Sequence, residues 1–305
     1  MQTMESLKRK IKSAQDLHSV VKTMKALAAV SIRQYQRAVE SLSDYSRAVE
    51  MGFHIVLKYR PPEVKGRLTG PPQRIGAIVF GSDQGLCGPL NENIARHALE
   101  DMAETGVDPQ DRYVIALGMR IEGYLIDGGQ EILETLSMPN SIGAITPLVQ
   151  DLIMIIEDWY FRRQIDHIFL YYNEYQSGAT YRQRTLTLLP IDQSWLKRME
   201  RMKWPSRVLP IYRMNWEDLF ASLVREYLFV SLYRAFAESL ASENASRLAA
   251  MQNAEKNIEE RIQELTVMFH RQRQMTITEE LLDIVAGFEA LKGVERKEAT
   301  VHVHG

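Results

Sequence analysis

Cysteine is almost missing from this chain, and glycine and proline are missing from both of its ends. Cys87 is the single cysteine among 305 residues, so no internal disulfide can form and the composition suits a reducing compartment. No apolar run approaches the roughly 20 residues that a bilayer-spanning helix needs, and the opening MQTMESLKRKIK lacks the apolar core of a signal peptide. The expectation is that any work at a membrane is done through partners. An excess of either charge is also absent: 37 basic residues against 39 acidic ones leave −2, which excludes a strongly basic nucleic-acid binder. Lys8, Arg9, Lys10 and Lys12 form a local basic cluster, which reads plainly as a solvated helix face.

What the ends lack in helix breakers they have in length. No Gly or Pro occurs from Met1 to Met51 or from Ile211 to Ala286, uninterrupted stretches of 51 and 76 residues. Ordinary globular helices run to about 11 residues, so coiled coil is the leading reading, with lengths of roughly 75 and 115 Å if helical throughout. Met4, Leu7, Ile11 and Ala14, then Val21, Met24, Ala28 and Tyr35, recur at steps of three, four and seven. Met251, Ile258, Ile262, Leu265 and Phe269 make a second seam, and Ile277, Leu281, Ile284, Phe288 and Leu291 resume it. The step of eight across HRQRQMT predicts altered winding or an end to strict pairing there.

The middle of the chain is of another kind. RIGAIVF (74–80), RYVIALG (112–118), HIFLYYNEY (167–175) and RQRTLTLLPI (182–191) read as strands, with QSGAT closing a hairpin between the last two. NENIARHALEDMAE (91–104) and TPLVQDLIMIIEDWYFRR (146–163) have helical periodicity, so the order alternates as in an open α/β sheet. PPEVKGRLTGPP (61–72) and WPSRVLP (204–210) mark the boundaries, because Pro limits helix continuation. The predicted fold class is α/β: an antiparallel coiled coil of N- and C-terminal helices with an inserted Rossmann-like open α/β domain. Its predicted parts are an N-terminal helix over 1–58, the α/β domain over 73–192, a C-terminal helix over 208–292 and a disordered tail over 293–305. An exposed helical shaft cannot bury its own seam completely, which implies that it sits inside or against other proteins.

Chemistry is poorly represented. The turn FGSDQGLCGPLN (80–91) has glycines at 81, 85 and 88, which fit neither G-x-G-x-x-G nor a P-loop. Phosphate binding at the start of the next helix competes there with a packed turn, in which Gly85 and Gly88 supply backbone geometry and Asn91 or Asn93 caps the helix. Cys87 as a nucleophile would need a base, for which His97 is the one scattered candidate. Ser82 does not sit centrally in a G-x-S-x-G elbow. No zinc or calcium motif is present, and His302 and His304 belong to the tail. Neither a catalytic residue, a cofactor nor a metal is expected. Arg271, Arg273, Gln274, Thr276 and Thr278 interrupt the second seam with hydrogen-bonding groups suited to a reversible contact with carboxylates, set against a solvated face with ordinary i, i+4 pairs.

Three stretches are similar to one family. ESLASENASRLAAMQNAEKNIEERIQEL with RQRQMTITEELLDIVAGFEAL resembles the C-terminal signature of the γ subunit of F-type ATP synthases. SDQGLCGPLNENI resembles that family's Ser-Asp-Arg-Gly-Leu-Cys-Gly-Gly-Leu-Asn motif, and LKRKIKSAQDLHSVVKTMKALAAV its N-terminal helix. The resemblance implies a non-catalytic rotor with the paired helices inside a ring of α and β subunits and the α/β domain as a foot on the ε subunit and the membrane c-subunit ring. It further implies that Arg273, Gln274 and Thr278 engage a β-subunit loop, that Met24 faces the β subunits, and that the protein is peripheral on the cytoplasmic side of a bacterial inner membrane. Gln84 stands where the motif has Arg, and Pro89 where it has Gly, which is compatible with a divergent branch, including alternative ATPases thought to move sodium rather than protons. A stand-alone coiled-coil scaffold and a nucleotide-binding α/β protein remain the competing classes.

Overall fold

The computed structural model describes residues 3–61, 70–204, 208, 210 and 212–301, with the backbone alone described beyond 288. Residues 62–69 of the first Pro-rich boundary, 205–207 and 209 of the second, and His302 and His304 lie outside the described residues. In chain order the elements are α1 (Met4–Lys58), β1 (Ile75–Phe80), α2 (Leu90–Glu104), β2 (Arg112–Leu117), α3 (Met119–Asp127), β3 (Glu134–Leu136), α4 (Ile145–Phe161), β4 (His167–Ser177), β5 (Thr180–Leu189), α5 (Gln193–Arg201) and α6 (Trp216–Val301).

The two long helices have chemical starts as well as unbroken interiors. Thr3 Oγ1 accepts from the Ser6 amide at 3.3 Å, and Glu5 lies in the first turn of α1. Asn215 Oδ1 accepts from the Asp218 amide at 2.8 Å, with Glu217 and Asp218 in the first turn of α6. Such side chains satisfy amides that no helical carbonyl reaches, and their charge complements the positive end of the helix dipole. The chain divides into two compact units, one formed by residues 25–250 and the other by residues 1–24 with 251–305.

Within the larger unit the five strands lie in the order β3-β2-β1-β4-β5. β1 pairs in parallel with β2 and β4, β2 pairs in parallel with β3, and β5 closes one edge antiparallel to β4. All six residues of β1 are buried, as a parallel sheet covered on both faces requires. Alternation along β1 sorts its side chains. Ile75, Ala77 and Val79 join Ile94, Ala98 and Met102 of α2 and Ile121 and Leu125 of α3. Ile78 and Phe80 join Val149, Ile153 and Trp159 of α4 and Leu232, Phe236 and Leu240 of α6. Gly76 lets α4 approach, since a Cβ there would stand 2.5 Å from the ring of the fully buried Trp159. A third cluster joins Leu42, Val49 and Phe53 of α1 to Met199 of α5 and Val230 of α6.

The four strands and two helices read from the pattern are present, and the hairpin turns at Gly178, whose φ is +58°. α3, β3 and α5 were not anticipated. β3 has three residues, none of them buried, so it leaves no apolar run to read. α5 is short, with Met199 its one buried residue and Trp195 and Leu196 partly buried against the third cluster.

In the smaller unit the first turns of α1 lie antiparallel to α6, with Leu7, Val21, Met251 and Leu265 buried along the seam. His18 Nε2 meets Glu259 Oε1 at 3.2 Å and sets the register. Fourteen residues separate His18 from Met4, where α1 begins, and the same step along α6 from Glu259 reaches Arg273. The seam slip in the sequence therefore falls where the partner helix runs out. Ile277, Leu281, Leu282, Ile284, Val285 and Phe288 are all exposed beyond that point.

Candidate functional site

Two places carry the candidate functional groups, and each lies inside one unit. The first is on the helical pair. Arg273, Gln274 and Thr278 are exposed on α6 at the level where α1 begins. Thr278 Oγ1 donates to the Gln274 carbonyl at 2.9 Å and Thr276 Oγ1 to the Gln272 carbonyl at 3.1 Å, so both hydroxyls are satisfied by their own helix. Met24 is half-buried on α1. In the register set by His18 and Glu259 it faces the level of residue 253, about 30 Å along the helix from Arg273 at 1.5 Å per residue. The structure thus groups Arg273, Gln274 and Thr278 and holds Met24 apart from them.

Among the described residues one group has the donor set for a cation: His18, Glu255 and Glu259, whose ligand atoms lie within 4.8 Å of one another. Glu255 and Glu259 are one helical turn apart and face one imidazole, which is an ordinary hydrogen-bonded contact between two helices.

The second place is the turn after β1. Ser82 donates its amide to Asn91 Oδ1 at 2.9 Å, and Asn91 Nδ2 returns a bond to Ser82 Oγ at 2.9 Å. Asn91 therefore ties the strand end to α2 rather than capping the helix; α2 follows Pro89 with no side-chain cap, and Asn93 Oδ1 accepts from Arg96 instead. Asp83 Oδ1 accepts from the Met119 amide at the start of α3 at 3.0 Å, and Asp83 Oδ2 from the Met138 amide at 2.9 Å. One carboxylate so satisfies an orphan amide of a helix start and a loop amide together.

Cys87 is buried, with Ser82 Oγ at 3.5 Å and Asn91 Nδ2 at 3.6 Å. His97, the candidate base, bonds Thr185 Oγ1 at 2.9 Å instead. The expected roles of the glycines need one correction. Gly88 has φ +57°, but Gly85 has no neighbour that a Cβ would meet, and the other left-handed residue of the turn is Leu86, with φ +62°. Sequence patterns do not expose this, because a bulky residue is a rare occupant of that region.

Reading the sequence also missed what holds this turn. Ser246 Oγ of α6 donates to the Cys87 carbonyl at 2.5 Å. Arg247 reaches the carbonyls of Gln84 and Gly85 at 3.5 and 3.4 Å while paired to Glu243 at 2.6 Å, both side chains being buried. Ser242 Oγ donates to the Asn173 carbonyl of β4 at 2.8 Å. The available signal was the spacing: 242 with 246, and 243 with 247, are polar positions one turn apart within a helix that is otherwise rich in apolar residues. Burial pushes the Glu243 carboxyl above its ordinary value, and the Arg247 charge works against that rise.

A neighbouring set lies on β4, β5 and α6. Glu174 pairs with Arg182 and Arg184; burial pushes its carboxyl up, and the two guanidinium groups outweigh that and hold it low. Glu238 is raised to about 7, first by burial and next by the charge of Glu174. Its Oε2 and the Arg234 Nε are buried without a hydrogen-bond partner.

Comparison with known proteins settles the family. A family model described as ATP synthase matches residues 3–291. The chain belongs to the ATP synthase gamma-chain family. An ATP synthase gamma chain of Desulforamulus reducens is 30% identical over 304 residues, covering 96% of this chain and 100% of the relative. One from Desulfitobacterium hafniense is 28% identical over 296 residues, with 96% and 100% covered. In fold, the chain is similar to a rotor subunit of the Euglena gracilis mitochondrial ATP synthase, with a TM-score of 0.62, 16% identity, and 90% of this chain and 98% of that one covered. A central-stalk chain of the Tetrahymena thermophila enzyme gives 0.54 at 20% identity, covering 77% and 99%. The gamma-family match spans both long helices and the sheet domain between them.

Proposed function

We propose that the chain is the central-stalk rotor subunit of an F-type ATP synthase, coupling ion movement through a membrane sector to ATP synthesis or hydrolysis on β subunits. It does no bond chemistry itself. An asymmetric shaft presents a different face to each of three otherwise equivalent catalytic subunits, and differential contact is what allows one rotation step to favour a different conformation at each. The observation that carries this reading is the gamma-family match along nearly the whole chain, joined to an α6 whose apolar residues stay exposed past the start of α1. An unpartnered apolar helix face of that kind calls for protein around it.

The partners are the α and β subunits of the ring, with the ε subunit and the c-subunit ring at the sheet domain. No described helix is long and apolar enough to cross a membrane; in this proposal, contact with the bilayer runs through partners. The protein is then peripheral, on the cytoplasmic side of a bacterial inner membrane. Arg273, Gln274 and Thr278 engage a β-subunit loop: Arg273 offers a planar fork to a carboxylate, and Gln274 offers both a donor and an acceptor. Met24 supplies a separate apolar contact with the β subunits. Either a proton or a sodium ion fits, since the ion ligands would lie on other chains.

The test is purification from the native membrane through a tag on this chain, followed by the Arg273→Ala/Gln274→Ala variant. Co-purification of α- and β-type nucleotide-binding subunits is expected, with ions pumped per ATP falling in the variant. Recovery without such subunits would sink the rotor reading, and an unchanged pumping ratio would remove Arg273 and Gln274 from it.

A further inference from the structure

The contact between α6 and the sheet is of two kinds. Along 228–241 it is mainly apolar, with Arg234 and Glu238 as charged exceptions toward β4 and β5: Leu232, Phe236 and Leu240 pack on Phe80 and Leu170, with the Phe80 and Phe236 rings 4.8 Å apart. Apolar burial is strong but has no preferred direction, so it resists separation better than it resists sliding or turning. Over the next two turns the contact becomes directional. Ser242 holds the Asn173 carbonyl, Ser246 the Cys87 carbonyl, and Arg247 the carbonyls of Gln84 and Gly85. Hydrogen bonds lose strength quickly with angle, so this set fixes the rotation of α6 about its own axis against the sheet.

Two features set the arrangement apart from plain apolar packing. The Glu243–Arg247 pair is buried and Arg247 Nε has no hydrogen-bond partner, and buried pairs of this sort are commonly no better for stability than apolar residues of the same size. The carbonyls held by α6 also belong to residues 84, 85 and 87, which flank Leu86. That side chain is exposed, and its left-handed backbone is unfavourable for a bulky residue unless its surroundings enforce it.

We propose that Arg247, Glu243, Ser246 and Ser242 form a torsional clasp, positioning residues that pass twist between α6 and the sheet domain. The proposal rests on the rotor reading, because a clasp against twist has work to do only where torque flows. Without it, torque reaching the sheet domain would be resisted mainly by apolar packing, which opposes turning weakly.

Three variants of the full chain separate the clasp from ordinary structural support. Ser246→Ala removes one bond. Glu243→Leu/Arg247→Met replaces the ion pair by apolar side chains of similar volume, which preserves packing. Arg247→Lys keeps the charge and loses the fork. Hydrogen exchange on the free chain should show the amides of the turn at 84–88 opening about fivefold more often in Ser246→Ala, the factor expected for one buried hydrogen bond. In the assembled complex, a probe on the sheet domain should show wider angular fluctuation in the apolar double variant. ATP hydrolysis should be retained while ions pumped per ATP fall about threefold or more, with Arg247→Lys intermediate. If both Ser246→Ala and the double variant assemble with unchanged fluctuation and pumping ratio, the clasp is wrong. Should the double variant fail to assemble, Ser246→Ala decides by the same two readings. Failure of the unaltered chain to co-purify with ring subunits is a distinct result and strikes the rotor reading instead.

Discussion

The helix α6 behaves as two different molecules along its length. Where it packs on the sheet, Leu232, Phe236 and Leu240 are buried, and Ser242, Ser246 and Arg247 are tied to the backbone of β4 and of the turn after β1. Past the level of Met4 the same helix shows Leu281, Ile284 and Phe288 to solvent. The apolar residue types do not separate the two stretches, because both place Leu, Val, Ala and Phe, with Glu, at helical spacing. What separates them is the neighbour. One stretch has its partner within the chain, and the other has an apolar face whose complement must come from elsewhere.

The contrast is easiest to break in the core. Trp159→Ala should lower unfolding stability by about 3–5 kcal/mol, because it empties a fully buried site against Gly76. Phe288→Ala, an equally aromatic truncation on exposed α6, should change the free chain by less than about 0.5 kcal/mol. Denaturant unfolding of both variants checks the pair; comparable losses would mean that the tail of α6 is buried within the isolated chain.

A smaller effect is expected from Glu238. Its folded pKa, about 7, is raised above the ordinary 4.5, so the folded chain holds a proton that the unfolded chain has released. Stability from this group is therefore fully present below pH 4.5 and is lost as pH rises toward 7, by at most about 3 kcal/mol. Glu238→Gln, which keeps the shape and cannot ionise, should remove that downward slope. Urea midpoints between pH 5 and 8 supply the measurement, and parallel curves for the two proteins would refute the assignment. Glu174, held low by Arg182 and Arg184, acts with the opposite sign and loses its contribution as pH falls, which is why the variant comparison is needed. The smallest effect of all is the one already set against Trp159, the near-silence of Phe288 in the free chain.

The local physics of the chain reached far into the architecture. The lack of Gly and Pro in both ends announced the long helices, alternating β-branched runs announced β1, β2, β4 and β5, and the step of eight after Phe269 marked the place where pairing stops. These features are periodic or compositional, so neighbours in sequence are enough to show them. β3 and α5 escaped because both are short and mostly unburied, and a pattern of burial cannot mark an element that buries little.

The turn after β1 lies at the limit of what sequence alone determines. Its glycines, Cys87 and Asn91 were visible as a packed strand-to-helix connection, and so was the resemblance to a gamma-family motif. That Leu86 and not Gly85 carries the left-handed backbone, that Asn91 turns back to Ser82, and that Arg247 reaches across from residues more than 160 positions away could be decided only by tertiary structure. Periodicity is a property of adjacent residues and survives in the unfolded chain's sequence. A hydrogen bond between α6 and the Gln84 carbonyl exists only after the sheet, α4 and α6 have packed and fixed its distance and angle.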